Sequence, residues 1–420
     1  MPFSVSRLAI ALALGTTLSA CSFSSDQSTS SQQAPGSATR PILNGSEAEN
    51  FTAARYFQAL DPQAAAWTPG TISTPGQADI VVGPAGTEGV NYHTLQDAVD
   101  AAITKHTSQR ITIAVMPGEY PGTVYIPAAS SSLTIYGTGN QPSDVKIGQA
   151  LDATMDPTSW RQAVNPGGKY MPGKPSWYMY QTCLNNRSAS IGLMCSAAVW
   201  SQNNGLQLQN LTIENSLGDS VDAGDHPAVA LRSDGDKVQL NKVNLLGRQN
   251  TFLVTNSDLQ NRFINNRQPR TLVSHSYIEG DVDLVSGRGA VVFDDTRFQV
   301  VNSRTQKEAY VFAPATQSGI YYGFLAVNSH FYAAGDGVAQ LGRAWDMGAG
   351  QNGYQPGQTS NGQVVIRDSD INDGFNHDHP WGNAKDSGRA FSGNVSENRD
   401  LNDPNANRMW EYNNTGTGSN

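Results

Sequence analysis

Val291 to Val300 reads VVFDDTRFQV, and five more decapeptides repeat its pattern: LQLQNLTIEN from Leu206, VQLNKVNLLG from Val238, TLVSHSYIEG from Thr271, FLAVNSHFYA from Phe324 and VVIRDSDIND from Val364. The third position (Leu208, Leu240, Val273, Phe293, Ala326, Ile366) and the eighth (Ile213, Leu245, Ile278, Phe298, Phe331, Ile371) are apolar in every copy. The fifth is always polar: Asn210, Lys242, His275, Asp295, Asn328 and Asp368. Each copy therefore holds two short strands with one apolar face apiece and a polar kink between them. One such unit cannot bury its face alone. Stacked units can, each strand pairing with the next coil. The copies start 32, 33, 20, 33 and 40 residues apart. That spacing suits one coil per copy and predicts an all-β fold, a parallel β-helix. An antiparallel sandwich is the alternative, but hairpin signals of the Asn-Gly kind are scarce between copies.

Upstream of the repeats, Leu95, Ala98, Val99, Ala102 and Ile103 recur at helical spacing, and Thr94 with Asp97 resembles a capping box. A short N-terminal capping helix there would cover the open end of the β-helix, where bare strand edges invite aggregation. Residues 151–204 break the rhythm with Trp160, Trp177, Tyr178 and Tyr180. These aromatics are read as packing a long excursion down rather than lining a sugar groove.

The first residues decide the compartment. Arg7 precedes a short apolar run, Leu8 to Leu18, too short to span a bilayer. It ends in Leu18-Ser19-Ala20-Cys21, which resembles a lipoprotein signal. Residues 1–20 are then a signal peptide and Cys21 carries the lipid, with Ser22 favouring the outer membrane. Multiple acyl chains anchor strongly, at about 0.8 kcal/mol per buried CH₂. The Ser- and Gln-rich stretch up to residue 40 cannot bury enough surface to fold and reads as a tether. Residues 41–420 are expected to form a single domain. Cys183 and Cys195, twelve apart in an oxidising compartment, suggest a disulfide, with two free buried thiols as the alternative. A net charge of -9 argues against a nucleic-acid partner. The seven histidines give no metal site, His377-Asp378-His379 reading as a solvated loop. No cofactor is implied, and a monomer is expected.

HPAVALRSDGDKVQL from His226, GRQNTFLV from Gly247, GDVDLVSGRGAVVFDD from Gly280 and LGRAWD from Leu341 occur in the order of the four main pectin methylesterase motifs, approximately Q-A-V-A-L, Q-D-T-L, D-F-I-F-G and L-G-R-P-W. Gly118-Glu119-Tyr120 echoes an earlier motif, G-x-Y-x-E, with Gly122 where the glutamate would stand. The chain resembles this family from about residue 80 to 400, and most nearly its outer-membrane lipoproteins, some of which carry an acyl-CoA thioester hydrolase label. The resemblance implies a right-handed parallel β-helix and a pectin-like polysaccharide, or a small ester or thioester, as substrate. Asp283 then matches the nucleophile that forms an acyl-enzyme anhydride, and Arg343 the guanidinium that keeps it ionised. Trp345 matches a wall for the sugar ring, and Gln249 a donor to the oxyanion.

Two positions depart from the pattern. Asn250 stands where the family has its general acid, and an amide cannot deliver a proton at neutral pH. Pro227 stands where the family has a second oxyanion glutamine, and it has no donor at all. Methoxide leaves poorly without protonation, so loss of the acid should cost about 10²- to 10⁴-fold, and loss of an oxyanion donor a further 10²- to 10³-fold, roughly. Pectin demethylation should therefore be weak or absent. A thiolate leaves more readily, since free thiols have pKa values near 8.5, although acyl-CoA is cytosolic and this chain is exported. Asp281, two residues from Asp283, would share its side of a strand. It is either a replacement acid or a solvated carboxylate without a role. Two further readings stand beside the esterase: a non-catalytic polysaccharide-binding envelope lipoprotein, and a polysaccharide lyase, whose acidic calcium ligands cannot be placed.

Overall fold

Third position meets third position at every step. Leu208 pairs with Leu240, then Val273, Phe293, Ala326 and Ile366 in parallel register. The eighth positions stack the same way from Ile213 to Ile371. None of these twelve side chains is more than 2% exposed. A computed structural model gives this arrangement and describes residues 34–58, 65–185, 188–256, 268–304 and 308–419. Cys21, the signal segment and most of the proposed tether lie outside the described residues.

The kink has a backbone cause. All six fifth-position residues adopt φ between 48° and 54°, the left-handed region that Asn and Asp enter most readily. The sixth position then ties the coils together. Ser276 Oγ accepts from Val243 N, Ser329 Oγ from Thr296 N, and Ser369 Oγ from Ser329 N, at 3.1–3.2 Å. Buried hydroxyls thus satisfy backbone groups that the kink removes from the ladder. Inside, Phe298 stacks on Phe331 with centroids 4.8 Å apart, and Phe293, Phe312 and Phe324 surround them.

A seventh copy extends the column. Ile366 pairs with Glu411, and Asn413, at the kink, has φ 48°. Its third position is a fully buried carboxylate, which explains why the pattern hides it. Arg40 neutralises that charge with two hydrogen bonds of 2.8 Å. Ala34 to Arg40, placed at the end of the tether, therefore belong to the folded body. The following segment straps across the outer face, burying Leu43, Phe51, Tyr56 and Phe57 against Val292, Leu325, Val365 and Trp410.

The helix Leu95–Thr104 caps the first coil as expected. Thr94 accepts from Asp97 N, and Leu95, Ala98, Val99, Ala102 and Ile103 all enter the core. The excursion is self-packed. Trp160, Tyr180, Tyr170 and Tyr125 form a continuous stack at 4.7–5.5 Å, and Cys183 is bonded to Cys195 with Cα atoms 5.8 Å apart. Tyr178 is the exposed member, its hydroxyl directed at Gln202. The excursion ends earlier than its composition suggests, because Val199–Ser201 already pairs with Val124–Ile126 and Leu231–Ser233.

A second parallel sheet of eight strands completes the coils. It includes Leu231–Ser233, Phe252–Val254, Val285–Gly287, Ala309–Pro314, Ala339–Trp345 and Trp381–Lys385. The motif residues lie on these strands or immediately before them.

Candidate active site

Phe252 pairs with Val285, so Asn250 and Asp283, each two residues upstream, sit in the same place on successive coils. Both are fully buried and both have positive φ, 59° and 54°. Asp283 is therefore not in regular strand, and the two-residue alternation that would aim Asp281 beside it does not apply. Four residues on, Gly287 (φ 114°) passes Val254 O so closely that a Cβ would lie 1.9 Å from it. That close approach explains the glycine ending this motif.

Arg343 forks onto Asp283, with Nε–Oδ1 and Nη2–Oδ2 both 2.8 Å. Its guanidinium carbon is 4.2 Å from the Tyr310 ring centre, which fixes the plane of the fork. A second cation, absent from the sequence reasoning, completes the group: Lys385 Nζ is 3.3 Å from Asp283 Oδ2 and 4.8 Å from the centre of the Trp345 ring. Burial pushes the Asp283 carboxyl up, but Lys385 and Arg343 outweigh it and hold the group below its ordinary value. The carboxylate is thus kept anionic, as a nucleophile requires. Lys385 enters because Trp345 pairs with it across a register shift between neighbouring strands. No local pattern announces that pairing.

Trp345 is 7% exposed and belongs to the core of the excursion, with its indole N–H donating to Asp386 at 2.9 Å. It walls the site mainly from behind. Asn250 donates from Nδ2 to Ser286 Oγ at 3.0 Å, while its Oδ1 is buried and meets no donor among the described residues. Gln249 and Pro227 face each other in a parallel bridge. The Gln249 amide is committed to the loop before Pro227, accepting from His226 N at 2.9 Å and donating to Asp225. His226 lies between Asp152, at 2.7 Å, and Asp222, at 3.1 Å. The structure thus assembles Asp283, Arg343, Lys385 and Trp345 directly, with Asn250, Gln249 and Pro227 on the preceding coils.

Asp281 is neither solvated nor a free acid. It is fully buried and receives both arms of Arg304 at 2.9 Å. Both of its oxygens are engaged by that guanidinium, which sets it with Arg304 rather than beside Asp283.

The pectinesterase family model matches residues 180–347. The chain is 47% identical to pectinesterase B of Dickeya dadantii over 97% of both chains. The chain belongs to the pectinesterase family. It is also 66% identical to the "putative acyl-CoA thioester hydrolase YbhC" of Escherichia coli, over 99% of this chain and 97% of that one. Rice weevil pectin methyl esterase, 38% identical, superposes with a TM-score of 0.81 over 92% of this chain and all of that one. The shared architecture is a right-handed parallel β-helix.

Proposed function

We propose that this chain is a cell-envelope ester hydrolase that acts through Asp283 and has shifted from methyl esters toward better leaving groups. One observation carries the reading: the nucleophile's charge apparatus is intact while the acid position is an amide. Asp283 attacks the acyl carbon and forms an anhydride, and water then releases the acid. With Asn250 in place of a carboxylic acid, acylation slows in proportion to how much proton the leaving group needs. Thiolates need least, which agrees with the name of the Escherichia coli relative. The relatives named pectinesterase favour a uronate polysaccharide as the acyl side.

Purified protein assayed on matched panels of oxygen esters and thioesters tests this, with Asp283→Ala as the blank. Turnover that survives in the blank, or none on any substrate, defeats it. One observation favours a second reading, a non-catalytic polysaccharide-binding lipoprotein: Asp283 has no exposed surface. Saturable binding of uronate oligomers without product would select it.

The envelope location rests on Leu18-Ser19-Ala20-Cys21. Intact-mass measurement of membrane-extracted protein should show cleavage before Cys21 and added acyl mass. Retention of residue 1 would refute the anchor.

A further inference from the structure

We propose that Lys385 is the remaining proton donor and acceptor of this site, doing from Asp283's other side, as a weaker acid than a carboxyl, part of what a carboxylic acid at position 250 would do. The inference rests on the esterase reading above. Lys385 Nζ touches the nucleophile itself, 3.3 Å from Oδ2, whereas Asn250 is bonded to Ser286. Asp283 is fully buried, and Lys385 keeps 22% of its side chain exposed over Trp345. A substrate ester reaching Asp283 must move this ammonium aside, which leaves its N–H groups beside the scissile bond.

The charge balance then times the proton. While Asp283 is a carboxylate, it and Lys385 stabilise each other. When an Asp283 oxygen bonds to the acyl carbon, its negative charge passes to the substrate's carbonyl oxygen and then to the departing oxygen, so Asp283 no longer balances Lys385 and the Arg343 cation remains. An ammonium that loses its counter-charge beside a like charge becomes a stronger acid. Lys385 therefore gives its proton to the departing alkoxide as the carbon–oxygen bond breaks, leaving an acyl-aspartyl anhydride, an alcohol and a neutral amine. The amine next takes a proton from water, whose oxygen attacks the substrate's acyl carbon. The anhydride bond breaks, Asp283 leaves as a carboxylate, and the ammonium is restored. One water is consumed, and one acid and one alcohol are released.

Arginine keeps the cation but cannot shuttle a proton, so Lys385→Arg separates proton transfer from charge, and Lys385→Met removes both. Wild type, both variants and Asp283→Ala are compared on a methyl ester and a nitrophenyl ester of one acyl group. For Lys385→Arg we expect methyl-ester turnover to fall by about 10²-fold. Its rapid first burst of nitrophenolate, which needs no acid, should persist before a slow phase. Lys385→Met should lose the burst as well. Methyl-ester turnover by Lys385→Arg at the wild-type rate overturns the proposal. Equal loss of burst and methyl-ester turnover in Lys385→Arg also does, because it assigns Lys385 to holding Asp283 in place. A wild-type protein with no Asp283-dependent release from either ester removes the esterase reading, and this role with it.

Discussion

Asn250 and Ser286 are joined across a coil boundary by a 3.0 Å hydrogen bond from Nδ2 to Oγ. Ser286 could equally accept from a protonated carboxyl, and Asp tolerates the left-handed backbone at 250 as well as Asn does. An aspartate at position 250 would therefore fit the same scaffold. Asn250→Asp with Pro227→Gln is expected to raise methanol release from methylated pectin by about 10²-fold or more in a Lys385→Arg background, and by less where Lys385 already supplies a proton. The gain should vanish when Asp283 is also replaced. If a soluble methyl ester gains no more than the polymer, and neither gains anything, Asn250 is not the main lesion.

Asp281 and Arg304 make a test of structure against chemistry. Both are buried, 0% and 2% exposed at their side chains. Arg304→Ala should lower stability by about 3–5 kcal/mol, because it strands a buried charge. Asp281→Asn should likewise lower the melting temperature while leaving acylation per folded molecule near wild type. A selective loss of turnover without loss of stability would return Asp281 to the list of proton donors.

The pH behaviour of Asp283 follows from its two cations. Its pKa in the folded protein is depressed, so its stabilising contribution is present above the unfolded value, about 3.9. It is lost as pH falls through the lower folded value. Down to about pH 4.5, the nitrophenolate burst should show no protonation step belonging to Asp283. A step near pH 5 to 6 in the wild-type burst, retained in variants of the other titrating groups, would show that the cations do not control it.

Cys183 and Cys195 are twelve residues apart and staple the helix Trp177–Leu184 to the turn before Val199. Replacing both with Ser should cost about 3 kcal/mol on loop-closure grounds. Limited proteolysis should then cut within residues 151–198 first, with the β-helix still intact. Uniform loss of protection across the chain would mean that the excursion and the coils unfold as one.

How much of this could be read in advance depended on whether the information was local. The paired columns were visible because each coil repeats two apolar positions around a kink, and a misplaced residue would put every side chain on the wrong face. Spacing was a weaker guide, since the twenty residues from Thr271 to Val291 make a full coil as surely as longer stretches do. The seventh copy escaped because a glutamate holds its inward position and its counter-ion lies at the other end of the chain. Asp283 and Arg343 were legible through family motifs. Lys385 and Arg304 were not, because each comes from an element whose own sequence carries no motif, and Asp225 was not, because it lies just outside the motif that begins at His226. Asp281 was misplaced because strand alternation was assumed where the backbone turns left-handed.

Arg40 and Glu411 are separated by 371 residues, and that distance sets an order of assembly. The guanidinium also donates to the carbonyls of His377 and Gly418, so each of these side-chain partners is made near the end of synthesis. The coils can stack as the chain emerges, each on the one before. The strap can meet Val292, Leu325 and Val365 as those coils form, but its Arg40 seal must wait until the last coil exists. The first part of the folded body to be synthesised is thereby the last to close, and a chain truncated before Glu411 leaves both the strap and the final coil without their seal.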